Sequence, residues 1–344
     1  MTKKKKNNIK PWKVYAAVAV LLIVVTAVAI HRSWRLPLRQ EVRIYIPTGS
    51  TYEAVVDTLV AHQCISGRAM FGTMARMCRY QDNVKSGSYR IVPGMDMVQL
   101  VKKLSRGNQD AVTVTIGKHR TVETLCAFLG SKLEVSGDTL LRMMKTDSVA
   151  EYYGYTVENF PCMFLCNTYE LYWNSTAKRL FDRMERESER FWNDRRMNQC
   201  KSLGLTPAEV ITLASIVEEE TNNNKEKDTI ASVYLNRLRK GMLLQADPTL
   251  KFSVGDFSLR RLGREQILHE SPYNTYRHKG LPPGPICLPS VESIEAVLEN
   301  LPTGYLYFCA KEDFSGSHRF AATLAQHNAN AARFHRALNE RNIH

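Results

Sequence analysis

Acidic side chains are missing from the first 40 residues, which hold nine Lys or Arg and no Asp or Glu. The net charge of +13 is therefore largely a property of that tail, since everything after Gln40 carries 38 basic against 34 acidic residues. A nucleic-acid enzyme spreads its basic footprint over a folded face, so this charge does not point to nucleic acid. The eight cysteines (Cys64, Cys78, Cys126, Cys162, Cys166, Cys200, Cys287, Cys309) form no CxxC, and no histidine cluster stands at ligand spacing. That argues against a zinc site, and no metal is expected. No GxSxG or HExxH occurs and no Cys sits in a motif with a partner His, which removes support for a protease. Long apolar runs are equally scarce. The one at residues 14–30 is not followed by a Cys, which excludes a lipoprotein anchor.

That run has 17 residues without a charge, at the short end of the ~17–25 needed to cross a bilayer. Six lysines precede it and three arginines follow it. The positive-inside rule then predicts a cytoplasmic N-terminus and an exported body. Ala27-Val28-Ala29 resembles a signal-peptidase site, but the run exceeds the ~7–15 residues of a cleaved signal. A single-pass anchor in the cytoplasmic (inner) membrane is expected. Disulfides are permitted outside the cytoplasm, although most of these cysteines read as small buried apolar residues.

The 344 residues suffice for two domains. The expected organisation is a basic tail over residues 1–13, the anchor over 14–30, a linker over 31–40, a small α+β unit over 41–111 and a larger mixed α+β domain over 112–344. In the small unit, VRIYIP reads as a strand, residues 52–62 and 69–77 as helices, GSYRIV as a strand and residues 95–104 as a helix. In the large one, VTVTI is a strand, and helices follow over 121–132, 137–146, 176–194, 206–220 and 227–240. From Gly241 onward the chain is rich in Pro, Gly, Asn and Tyr, and long periodic segments are few until residues 323–338. Loops of that composition on a rigid scaffold are where binding residues tend to lie.

The segment LASIVEEET, residues 213–221, carries the chemistry. Thr206-Pro207-Ala208-Glu209 opens its helix with an N-cap, a first-turn Pro and a capping-box Glu. At about 100° per residue, Val210, Ile211, Leu213, Ala214, Ile216 and Val217 cover most of the circumference, leaving Thr212, Ser215 and Glu219 on one polar stripe. Glu218 then falls between Ile211 and Ala214, and Glu220 between Leu213 and Ile216. Glu219 is expected in water. A carboxylate in apolar surroundings either finds a partner or holds its proton, and the second case suits a general acid. A frayed helix end, with all three glutamates solvated or paired with Lys225 and Arg237, is the alternative.

Five pieces in order, ASIVEEET, Asn236-Arg237-Leu238, Gln245-Ala246-Asp247-Pro248-Thr249, Tyr273-Asn274-Thr275-Tyr276 and the GLPPGPI of residues 280–286, closely resemble the endolytic murein transglycosylases of the MltG (YceG-like) family. The likeness spans nearly the whole chain, including an N-terminal region similar to the family's LysM-like module and the C-terminal His318-Arg319-Phe320 and His327-Asn328. It implies lytic cleavage of the MurNAc–GlcNAc β-1,4 bond of nascent, uncrosslinked peptidoglycan, leaving 1,6-anhydro-MurNAc ends, without metal or organic cofactor and near the peptidoglycan synthesis machinery. Ordinary glycosidases use two carboxylates, whereas a lytic enzyme can manage with one because the sugar's own C6 hydroxyl attacks.

By this resemblance Glu218 is the acid and base, with Glu220 as rival or as a residue that orients the site, for instance by pairing with Arg237. Asn236 and Arg237 are carried over as substrate-binding residues. Gln245, Asp247 and Thr249 would hold sugar hydroxyls or steady an oxocarbenium-like state, and Tyr273 and Asn274 would present a ring and an amide to saccharide. Tyr276 reads as core packing, residues 281–285 as a rigid loop, and His318 as a hydrogen bond between loops. The chain departs from the family at Asn167-Thr168-Tyr169 and at Pro161-Cys162-Met163-Phe164, where a usual acidic residue is missing, and no site residue is assigned there. Two other readings stand beside this one: a glycan-binding scaffold without turnover, and a muramidase-type hydrolase using Glu218 and Glu220.

Overall fold

A computed structural model describes residues 11–259 and 262–341, with the side chains of residue 11 and residues 27–33 outside the description. The basic residues of the 1–10 tail therefore lie outside the described residues. The chain is mixed α+β, and among the described residues its strands form three separate two-stranded sheets. Two compact units divide it: residues 1–112 with 172–174, and residues 113–171 with 175–344. The short excursion at 172–174 into the first unit has no signature in the sequence.

In the first unit, α1 (Pro11–Ser33) precedes β1 (Val42–Ile46), α2 (Tyr52–Ala61), α3 (Arg68–Met77), β2 (Gly87–Ile91) and α4 (Met97–Arg106). The expected strand, helix, helix, strand, helix order is present. β1 and β2 pair antiparallel with Val42 opposite Ile91 and Ile46 opposite Gly87. Ile44, Ile46, Tyr89 and Ile91 turn one face of this ribbon onto Val55, Leu59, Phe71 and Leu100, all buried. Asp96 caps α4, its side chain accepting from Gln99 N while Gln99 returns a bond to Asp96 N. Within α1 an apolar stretch runs over Trp12–Thr26, but among the described residues no single helix is long and apolar enough to cross a membrane.

The second unit contains β3 (Val112–Ile116, all but its first residue), α5 (Val122–Lys132), α6 (Gly137–Met144), α7 (Asp147–Tyr152), β4 (Asn167–Leu171), α8 (Ala177–Phe191), α9 (Asp194–Leu203) and α10 (Pro207–Glu220). These are followed by α11 (Lys227–Arg239), α12 (Asp247–Val254), α13 (Arg264–Leu268), α14 (Val291–Glu299), the antiparallel pair β5 (Tyr307–Ala310) and β6 (His318–Ala321), and α15 (Leu324–Glu340). Among the described residues, the region after Gly241 thus holds three more helices than its composition suggested. α14 had legible signals: Ser290 as N-cap, Glu292 in the first turn, and Ile294, Val297 and Leu298 at helical spacing.

α10 is the centre of this unit. Its capping box forms as expected, with Glu209 N donating to Thr206 Oγ1 and Thr206 N to the Glu209 carboxylate. Every residue from Val210 to Val217 is buried. A helix apolar all round belongs inside a core, and burying each of its large aliphatic side chains contributes about 1.5–3 kcal/mol. The expected polar stripe is not a solvent face. Thr212 Oγ1 donates back to Ala208 O at 2.8 Å, and Ser215 Oγ to Thr212 O at 2.7 Å. Ser215 Oγ also accepts from Ile286 N at 3.0 Å, which fixes the Pro-rich loop against the helix. Gly284 in that loop needs to be glycine for steric reasons, since a Cβ there would lie 2.0 Å from Glu158 O.

All eight cysteines are free, and five of them are buried.

Candidate active site

The three glutamates ending α10 meet three different environments. Glu218 is held in a cage of donors. Its Oε2 accepts from Ser290 Oγ at 2.6 Å, Ser293 Oγ at 2.6 Å, Lys227 Nζ at 2.9 Å and Ser290 N at 3.3 Å. Ser290 and Ser293 come from the first turn of α14, so the carboxylate also sits where a helix N-terminus favours negative charge. Burial works to raise its pKa, but the two serine bonds and Lys227 outweigh it, and the group lies below its ordinary 4.5. Of the two outcomes open to a shielded carboxylate, Glu218 takes the first: it finds partners, all of them on Oε2, and these favour its charged form.

Glu219 does not point to water. Its side chain is only 10% exposed, gripped by Lys118 at 2.9 Å and by Arg120 through two bonds of 2.9–3.0 Å. Burial raises its pKa, and the two cations bring it below 4.5 overall. Lys118 also donates to Glu218 O at 3.4 Å, so the strand-to-helix loop before α5 clamps the last turn of α10. A helical wheel cannot show such a contact, because both cations come from about a hundred residues upstream.

Glu220 is the carboxyl with the properties of an acid. Burial pushes its pKa up to about 7, Asp247 pushes the same way, and Tyr234, Lys251 and Arg237 oppose it. Tyr234 OH, from α11, donates to Oε1. Asp247 opens α12 and accepts a hydrogen bond from Tyr276 OH. Burial, and then Asp247, drive the Tyr276 phenol upward. Tyr276, expected as core packing, is partly buried and also spends its hydroxyl on Asp247.

The remaining sequence-derived residues divide clearly. Arg237 is 8% exposed and spends its guanidinium on backbone, with Nε to Leu306 O at 2.7 Å and Nη1 to Leu244 O at 2.6 Å. It is not the ion-pair partner of Glu220, and its charge acts there only through space. Asn236 Nδ2 donates to Thr303 O and Tyr305 O, which ties α11 to the segment before β5. Thr249 is fully buried, with Oγ1 bonded to Ala246 O and to Thr275 Oγ1. Asn274 is fully buried as well. Its Nδ2 reaches Ile267 O and His269 O, and its Oδ1 accepts from Tyr276 N. Neither can touch saccharide; both shape the loop that presents Asp247 and Tyr276. Tyr273 is half-buried and packs on Phe252 with ring centroids 4.8 Å apart. Gln245 is exposed, and its φ of +50° turns the chain into α12. His318 pairs with Glu226 through Nδ1 and N, both at 3.0 Å, the inter-loop bond expected of it.

Sequence reasoning missed Tyr234, Lys227, Ser290, Ser293, Lys118 and Arg120. Only α14's start signals offered a way to two of them.

Fold and site together define a carboxylate-centred protein in which one glutamate of α10 keeps its proton to near neutrality beside a tyrosine and an aspartate. The chain belongs to the YceG-like family, whose model matches residues 44–333. It is similar to a protein of Bacillus subtilis (strain 168) named endolytic murein transglycosylase, with 27% identity over 320 residues, 87% of this chain and 86% of that one. A protein of the same name from Streptococcus pneumoniae serotype 2 (strain D39) is 26% identical over 330 residues, covering 86% of this chain and 58% of that longer one. A crystal structure of a YceG-like protein from Listeria monocytogenes shares the fold, with a TM-score of 0.56 and 24% identity over 85% of this chain and 99% of that one.

Proposed function

We propose that this chain is an endolytic murein transglycosylase, a lyase, with Glu220 as its general acid and base. The observation that carries the assignment is the Glu220 carboxyl itself: buried enough to be protonated near pH 7, held by one donor on Oε1, and facing Asp247. The name shared by the curated relatives supports the class of reaction. Oε2 delivers its proton to the glycosidic oxygen as the bond from that oxygen to C1 of MurNAc breaks. The C6 hydroxyl oxygen of the same sugar closes on C1, and its proton returns to Glu220. No water is consumed, and the new end is 1,6-anhydro-MurNAc. In this reading Asp247, whose charge acts on Glu220, steadies the oxocarbenium-like C1.

Glu218 is better suited to structure. Its Oε2 already receives four donors, so a hydrolase using Glu218 and Glu220 as its two carboxylates has little geometric support. Residues 41–111 serve in this reading as a LysM-like module. The apolar stretch of α1, preceded by lysines and followed by arginines, serves as a single-pass anchor that keeps the second unit in the envelope space beside newly made strands and the machinery that makes them.

The test is Glu220→Gln in the full chain, assayed on uncrosslinked peptidoglycan strands. Removing a general acid lowers kcat by about 10²–10⁴-fold. Products of the unsubstituted chain should be anhydro-ended and about 18 Da lighter than hydrolysed ends. Turnover surviving Glu220→Gln, with loss in a folded Glu218→Gln, would return the acid to Glu218. Reducing ends would make the chain a hydrolase, and no cleavage by the unsubstituted chain would make it a binding scaffold.

A further inference from the structure

We propose that Tyr234 is a positioning residue for the reaction, whose phenol occupies Oε1 of Glu220 and so leaves Oε2 as the oxygen that gives and retakes the proton. The inference rests on Glu220 being the acid.

Tyr234 stands in α11, 2% exposed, with its ring edge-on to Phe308 at 5.9 Å between centroids. Among the described residues it is the one hydrogen-bond partner of Glu220. The other charged groups acting on Glu220 are Asp247 and Lys251 of α12 and Arg237 of α11. Asp247 is bonded by Tyr276, and Arg237 by backbone carbonyls. None of these three bonds the Glu220 carboxyl.

A phenol has a single O–H. While Glu220 is protonated, that O–H satisfies the carbonyl-like Oε1, so the acid proton resides on Oε2. As Oε2 releases its proton the carboxyl becomes charged, and hydrogen bonds to charged groups are about twice as strong as neutral ones. Tyr234 thus stabilises the carboxylate that forms in mid-reaction, in a place where burial restricts water from doing so. Its own ionisation is driven far upward by burial and by Glu220, so it stays a donor throughout the working range. A purely packing tyrosine would place its ring here without needing the hydroxyl.

The experiment is Tyr234→Phe in the full chain, with kcat and KM measured against pH on uncrosslinked strands. Activity of a general acid falls as pH rises through its pKa. Without the phenol that alkaline limb should move up by about one pH unit, a tenfold change in acidity equal to about 1.4 kcal/mol. On the acid plateau, where Glu220 is protonated in both proteins, kcat should drop severalfold with KM nearly unchanged. A limb that stays in place while Glu220→Gln is inactive overturns this inference alone, whereas an active Glu220→Gln overturns the acid assignment beneath it. If Tyr234→Phe does not fold, 3-fluorotyrosine at position 234 supplies a more acidic donor and should move the limb down; an unmoved limb then overturns the inference equally.

Discussion

Lys227 and Glu218 form an ion pair of 2.9 Å whose side chains are only 5% and 14% exposed. Lys227 opens α11 and Glu218 closes α10, so the pair joins the end of one core helix to the start of the next, and Ser290 completes the junction by accepting from Lys227 at 3.1 Å. Desolvation offsets much of the Coulomb attraction in such a pair, but removing one member strands the other charge.

Glu218→Ala should therefore destabilise the protein by about 3–5 kcal/mol, seen as a lower denaturant midpoint with an unchanged slope. Lys227→Met should behave comparably, since it leaves the carboxylate buried. Losses below about 1 kcal/mol in both would mean that the cage opens to water.

Opposite pH dependences follow for the two flanking carboxylates. Glu218 has its pKa lowered from 4.5, so its contribution is present above pH 4.5 and is lost as pH falls through the lower folded value. Glu220 is raised from 4.5 to about 7, so its contribution is complete below pH 4.5 and is lost as pH rises through about 7. At pH 8 that loss is roughly 3 kcal/mol. Glu220→Gln should raise Tm at pH 8 and change it little at pH 4. An equal change at both pH values would contradict the buried, protonated state.

Glu219 is bound by Lys118 and Arg120, which are 32% and 46% exposed. Partly exposed pairs contribute about 1 kcal/mol or less and are screened by salt. Glu219→Gln should lower stability by about that amount at low ionic strength and by much less at 1 M salt. A salt-independent loss would point to packing instead.

Gly284 lies against the Glu158 backbone, where a Cβ would fall 2.0 Å from the carbonyl oxygen and 2.6 Å from its carbon. Neither atom is the end of a flexible side chain, so the loop must shift. Gly284→Ala should cost about 1–3 kcal/mol or more and reduce turnover, because Ile286 of the same loop is bonded to Ser215 of α10. Wild-type stability in urea would show that the loop relaxes freely.

Local signals in the sequence were sufficient for the strand and helix order of residues 41–106, for the cap and burial of α10, and for Glu220 as one of two shielded carboxyls. Each depends on neighbours within a few residues: a capping hydroxyl, a period of 3.6, a β-branched run. The helices after Gly241 were less legible, because Pro and Gly at their ends read as loop when the apolar stripe is only two turns long.

The ranking of the glutamates belonged to the tertiary structure alone. A wheel drawn on α10 sees the helix's own side chains, and by that measure Glu218 and Glu220 were equivalent and Glu219 was free. What separates them arrives from distant chain: Ser290 and Ser293 hold Glu218 in its charged form, Lys118 and Arg120 pair with Glu219, and burial, helped by Asp247, leaves Glu220 protonated against the pull of Tyr234. Sequence determined that a greasy helix ends in three carboxyls; which of them keeps its proton was decided by the charges and donors that folding brought to each, since a pKa is set by surroundings in space and not by position along the chain.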